Sequence, residues 1–157
     1  PLRTVVDIND ASFYSPGDMA ARIDEAAHAT GQPCPRDIGE YVRCINDSLA
    51  LAYRRAVRQA MELSGREVKV LHVVGGGIRN RLLCQLAADA TGLPVLAGPA
   101  EGTALGNVVI AARGAGVIDG DLSDLRRLIR SSSRLTRYTP NLDTSSNWDD
   151  VERRLFG

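Results

Sequence analysis

What this chain has least of is aromatic side chains and charge of one sign. Phe, Trp and Tyr together make 4% of 157 residues, and 19 basic residues balance 19 acidic ones. A nucleic-acid binder carries a basic excess and often an aromatic platform for bases; neither is present. The three cysteines, Cys34, Cys44 and Cys84, are odd in number and lack Cys-x-x-Cys spacing, and the two histidines, His28 and His72, read as remote from them. That argues against a disulfide framework or a zinc site and for reduced thiols in a cytoplasmic protein. No run of about 18 apolar residues is present, so no membrane span is expected. The chain starts at Pro1 rather than methionine, and is expected to be a piece of something longer.

What is there is an ordinary soluble composition, 44% apolar and 24% charged, of a length that suits one domain with a real core. Asp18 is placed to cap a helix through Met19, Ile23 and Ala27 that ends at Gly31. Asp37 and Glu40 have capping-box spacing. Apolar residues then recur from Ile38 through Tyr41, Val42, Ile45, Leu49, Ala52, Tyr53, Ala56, Val57 and Ala60 to Met61, with Gly65 closing the helix. Arg43, Asp47, Arg54, Arg55, Arg58 and Gln59 fall off that stripe and read as its solvated face. Leu93–Ala97 reads as a short strand, Glu101–Ala115 as a helix apolar nearly all round and therefore buried, and 124–130 as a short helix capped by Ser123. Residues 131–147 read as an arm or tail, with Trp148 anchoring it on the core and Asn147 capping a last turn. Two strands cannot complete a sheet covered on both faces, so the sheet is finished by the lead-in and tail or is incomplete.

The most telling stretch is Val73-Val74-Gly75-Gly76-Gly77-Ile78-Arg79-Asn80. An apolar run, Val68–Val74, reads as a buried strand; three glycines follow at once; a helix pattern starts near Asn80. Glycine lets the main chain approach another molecule closely, and a helix start favours anionic groups such as phosphate. A nucleotide site is the first reading. A dinucleotide fingerprint needs a third glycine where Asn80 stands, and a P-loop needs a Gly-Lys-Ser/Thr that the chain lacks. Asn80 reads as an N-cap and a ligand partner at once. Cys84 reads as packed apolar filling, His72 as a satisfied core or edge histidine, and Arg79 and Arg81 as solvated loop, with phosphate contact as the alternative. Arg126, Arg127 and Arg130 read as a solvated helix face.

Continuing from the glycines, Leu83-Cys84-Gln85-Leu86-Ala87-Ala88-Asp89-Ala90-Thr91-Gly92-Leu93-Pro94-Val95 and Gly98-Pro99-Ala100-Glu101-Gly102-Thr103-Ala104-Leu105-Gly106-Asn107 resemble the C-terminal domain of the FGGY carbohydrate kinases. The likeness covers nearly all of residues 5–140. The flanking Asp7-Ile8-Asn9-Asp10, Pro16-Gly17-Asp18-Met19, Thr30-Gly31-Gln32-Pro33, Arg43-Cys44-Ile45 and Ser48-Leu49-Ala50 resemble the L-rhamnulokinase branch most. Gly102 departs from the commoner alanine.

The resemblance implies an α/β fold: the helix-rich part of an actin-like (ribonuclease-H-like) ATPase domain with an incomplete small sheet. Residues 1–140 are then a portion of the second kinase domain and 141–157 a C-terminal tail. It implies transfer of the γ-phosphoryl of ATP, with Mg²⁺, to a ketose such as L-rhamnulose; L-fuculokinase, xylulokinase and glycerol kinase are the alternatives. It places Gly75, Gly76, Gly77 and Asn80 at the nucleotide. Glu101–Asn107 serves as scaffold behind the loop, with Glu101 or Thr103 close to the ligand. In the family the sugar is held largely by the N-terminal domain and the catalytic aspartate precedes the part seen here. No catalytic residue or metal ligand is therefore assigned in this chain, and by itself it is expected to be inactive. Surface normally covered by the rest of the enzyme leaves a homodimer or aggregation expected. The rival from another class is a folded interaction module that keeps the loop without using it, with helix 37–64 as its contact surface.

Overall fold

Asp37 accepts a hydrogen bond from the Glu40 N–H and opens the longest helix of the chain, Ile38–Ser64. In this computed structural model, which describes residues 1–141, 143 and 145–157, that helix (α2) runs 27 residues and ends on Gly65 at a left-handed φ of 62°. It is about 40 Å long at 1.5 Å per residue. Only half of the expected capping box forms. Glu40 turns its carboxylate to the Arg36 N–H and to the guanidinium groups of Arg36 and Arg3 instead. Before α2 lies α1, Met19–Ala29, capped by Asp18 through the Ala21 N–H, as its sequence predicts.

After α2 come β1 (Leu71–Val73), a 3₁₀ turn (Gly76–Arg79), α3 (Arg81–Thr91) and β2 (Val95–Ala97). Then follow α4 (Gly102–Gly114), α5 (Leu122–Ser132), β3 (Thr136–Tyr138) and α6 (Ser145–Phe156). The architecture is α/β. β1 and β2 are parallel, with His72 opposite Leu96; β3 joins the far side of β2 antiparallel, with Leu96 opposite Arg137. The segment read as a tail thus supplies the third strand and then a helix longer than the single turn expected. Leu142 and Thr144, within that segment, lie outside the described residues.

One face of the sheet is covered. Cys84, Ala87 and Ala88 of α3 pack on Val95 and Ala97. Behind α3 stands α2, and Trp148 and Val151 of α6 close the layer against Leu51, Leu83, Leu86 and Ala90. Trp148 is 2% exposed, the anchor that the sequence predicts. A smaller cluster of Val6, Ile23 and Cys44 seats α1 and the lead-in on α2.

Several expectations are corrected here. The run 68–74 is not a buried strand: β1 is an edge strand, His72 is exposed and Val74 is 58% exposed. On α4, Val109 is buried, whereas Val108 and Ile110 are 64% and 56% exposed. Apolarity all round that helix shows that two faces want cover; this chain covers one. The N-terminal part of the α2 stripe is likewise bare at Ile38 and Val42. α5 is capped by Asp121 rather than Ser123, with a reciprocal box to Asp124. Asp47 and Arg54, read as solvated, are 1% and 5% exposed: Asp47 accepts from the Leu2 N–H and Arg43, and Arg54 reaches α6 and the Ala90 carbonyl. His28 is not remote from the cysteines, since its Nε2 stands 3.4 Å from Cys34 Sγ.

Candidate nucleotide site

The glycine loop sits where the parallel pair of strands ends. Gly98 N–H donates to the Val73 carbonyl at 2.8 Å and Gly75 N–H to the Pro99 carbonyl at 3.1 Å, so the exits of β1 and β2 are laced together. Gly75 has φ 80° and ψ −164°, a conformation open in practice to glycine alone. That turn lets the backbone leave the strand and enter the 3₁₀ turn at once. Gly76 and Gly77 then lie exposed, and the turn they begin carries no side-chain cap.

The room above them is real. A Cβ built on Gly76 would meet nothing within 4 Å, and one on Gly77 would first meet Val73 Cγ1 at 3.9 Å. Among the described residues, no side-chain atom comes closer than 3.9 Å to the Cβ positions of Gly76 and Gly77. A cleft of about 530 Å³ adjoins it, walled by Ile78 of the turn, Ala97, Ala100, Glu101, Leu105 and the segment Ser132–Arg134. That is within the size range of small-molecule sites. A second cleft of about 600 Å³ lies on the uncovered sheet face, between His72, Val74 and Leu96 and the α5 residues Arg126, Ile129 and Arg130.

Asn80 closes the loop and opens α3. Its Oδ1 accepts the Leu83 N–H at 3.0 Å, the N-cap bond the sequence predicts. Its Nδ2 donates to Asn46 Oδ1 at 2.7 Å. Sequence reading missed Asn46. The signal for it was a polar residue one turn beyond Val42, on the apolar side of α2. The cleft wall at 132–134 was missed too, since it exists only because β3 returns to the sheet.

The remaining candidates fall around the loop unevenly. Glu101 is exposed and lines the adjoining cleft, while Thr103 is exposed and does not. Arg79 and Arg81 are exposed. Cys84 is 1% exposed beneath the loop, its thiol 3.9 Å from the Gly77 carbonyl. Burial pushes that thiol up from its ordinary pKa, so it is filling rather than a nucleophile.

With this geometry in place, comparison with known proteins decides the family. The profile of the C-terminal domain of the FGGY family of carbohydrate kinases matches residues 1–115. The chain belongs to the FGGY carbohydrate kinases. Rhamnulokinase from Bacteroides thetaiotaomicron is 44% identical over 149 residues, covering 95% of this chain and 30% of that protein. A rhamnulokinase from Klebsiella pneumoniae is 42% identical over 142 residues, covering 90% and 29%. Among solved structures, xylulose kinase from Rhodospirillum rubrum superposes with a TM-score of 0.57 at 26% identity, over 78% of this chain and 24% of that one. This FGGY chain therefore spans about 30% of the length of the curated relatives it matches, and its fold is the actin-like α/β fold of these sugar kinases. Among the described residues, no helix is long and apolar enough to cross a membrane.

Proposed function

We propose that this chain is the ATP-side portion of a sugar kinase, in which Gly75, Gly76, Gly77 and Asn80 receive the nucleotide. The single observation behind this is the bare main chain at Gly76, open for at least 4 Å, beside a cleft and at a helix start. The adenosine moiety of a nucleotide can lie against a backbone that carries no side chain.

For the sugar, the reading rests on the rhamnulokinases at 44% and 42% identity. We assign L-rhamnulose, a ketose, as the substrate of the whole enzyme, phosphorylated at the expense of ATP. Phosphoryl transfer depends on positioning and charge neutralisation. This chain's own residues supply the first for the nucleotide. Among the described residues, no three His, Cys, Asp or Glu side chains gather to hold a metal. No residue of this chain is assigned as a Mg²⁺ ligand. We assign the base that takes the sugar proton to another part of the enzyme, and the chain alone is inactive as a kinase. Its three free thiols support a cytoplasmic setting.

Calorimetric titration of the folded chain with ADP tests the reading. Saturable heat is expected. A folded sample that gives none at millimolar ADP removes the claim that the loop is a competent half-site.

A further inference from the structure

Asn46 is a buried polar residue in the middle of an amphipathic helix, 5% exposed. Such a residue needs a reason, because an amide taken from water must find partners. It finds two. Its Nδ2 donates to the Val42 carbonyl at 2.7 Å, one turn back on α2. Its Oδ1 accepts from Asn80 Nδ2 at 2.7 Å, across 34 residues of sequence.

The orientation of this pair is fixed from both ends. A carbonyl only accepts, so the Asn46 amide nitrogen faces Val42. A backbone N–H only donates, so the Asn80 oxygen faces Leu83. What remains between the two side chains is one acceptor and one donor, and they meet. Neither amide can flip without losing two bonds. Asn80 is exposed, whereas Asn46 is not. Asn80 Nδ2 carries a second hydrogen that this network does not use.

We propose that Asn46 is a positioning residue for the nucleotide site. It locks the Asn80 carboxamide, so that one N–H is held toward the ligand while the other end caps α3 directly behind the glycine turn. The ligand class is a nucleoside phosphate, whose ribose hydroxyls and phosphate oxygens both accept from an N–H. This rests on the nucleotide reading above and adds a residue outside the glycine motif. Preorganisation is the physical content: an unlocked Asn80 must be ordered when the ligand arrives, and that cost is taken from affinity.

The test uses Asn46→Leu, close in volume and unable to accept. Water replaces the lost partner at exposed Asn80, so the fold is retained. ADP binding measured by calorimetry is expected to weaken by about five- to tenfold, the scale of one lost hydrogen bond. A purely structural role would shift melting but not affinity in the folded protein. Asn80→Ser keeps a cap but loses the amide arm, and Asn46→Leu added to it should change ADP affinity no further. If Asn46→Leu fails to fold, Asn46→Ser, whose hydroxyl is too short to bridge, is measured in its place. Wild-type affinity in a folded Asn46 variant overturns this inference alone, as does a double variant whose losses multiply. A folded wild-type chain that binds no ADP removes the competent half-site proposed above, and this inference with it.

Discussion

Arg54 Nε donates to Glu152 Oε2 at 3.1 Å, across 98 residues of sequence. The same guanidinium reaches Asp149 and the Ala90 carbonyl at the end of α3, and Arg58 grips the same two carboxylates from the next turn of α2. Here α6 is bolted to the layer that carries the glycine loop. Arg54 is the only member of the group that is nearly dry, with its side chain 6% exposed against 48% for Asp149 and 22% for Glu152. Removing both carboxylates (Asp149→Asn with Glu152→Gln) leaves a buried cation unpaired and should cost about 1–3 kcal/mol, discounted for the wet partners. Arg54→Met removes the charge as well and should cost less than the carboxylate pair. Urea unfolding followed by the fluorescence of buried Trp148 compares them; equal losses would mean that charge burial does not govern this contact.

Acid should weaken the protein through Glu40 first. The Arg36 side chain, then the Arg36 N–H, and to a lesser extent the charge of Arg3, hold its carboxyl from an ordinary 4.5 down to about 2. A depressed folded-state pKa gives stability that is present above the unfolded value and lost as pH falls through the folded one. The window is therefore from 4.5 down to about 2. Asp149 acts in the same direction: burial opposes its ionisation most, but the hydrogen bonds and charges of Arg58 and Arg54 together outweigh it. Thermal melts should fall across that window in the wild type and fall less steeply in Glu40→Gln. An unchanged slope in the variant would contradict the assignment.

Much of the site could be read in the sequence because its signals are local. Gly75, the cap at Asn80 and the stop at Gly92 each act within a few residues, and all three are where the pattern puts them. What the sequence hid depends on distant partners. Asp47 and Arg54 look solvated on a helical wheel and are buried by Leu2 and by α6. β3 has only three residues and exists by pairing with β2. The α4 pattern told that the helix wants cover, but a sequence pattern does not say which chain segment provides it.

That uncovered side of α4 should make the chain associate with itself. Val108 and Ile110 are more than half exposed, and Val117 and Leu122 beyond the helix are 75% and 54% exposed. Apolar surface of this kind marks an interface. Sedimentation velocity should show concentration-dependent dimers or larger species, and Val108→Glu with Ile110→Glu should shift the distribution to monomer with little change in melting. A wild type that stays monomeric at every concentration would show that this face needs no partner.

Two adjacent glycines should separate folding from binding. Gly75 sits at φ 80°, where any Cβ is strained, so Gly75→Ala should lose about 1–3 kcal/mol of stability. Gly76 has no positive φ, and a Cβ there meets no protein atom within 4 Å. Gly76→Ala should therefore melt within about 1 kcal/mol of wild type, or slightly higher, because alanine narrows the unfolded ensemble. Yet its methyl group occupies the space where we place the nucleotide, and Gly76→Val fills it further. ADP affinity should drop from wild type to alanine and again to valine while the fold persists. If valine at position 76 leaves both melting and ADP binding untouched, the open backbone is not where the nucleotide rests, and the second cleft beside His72 and Arg130 becomes the place to look.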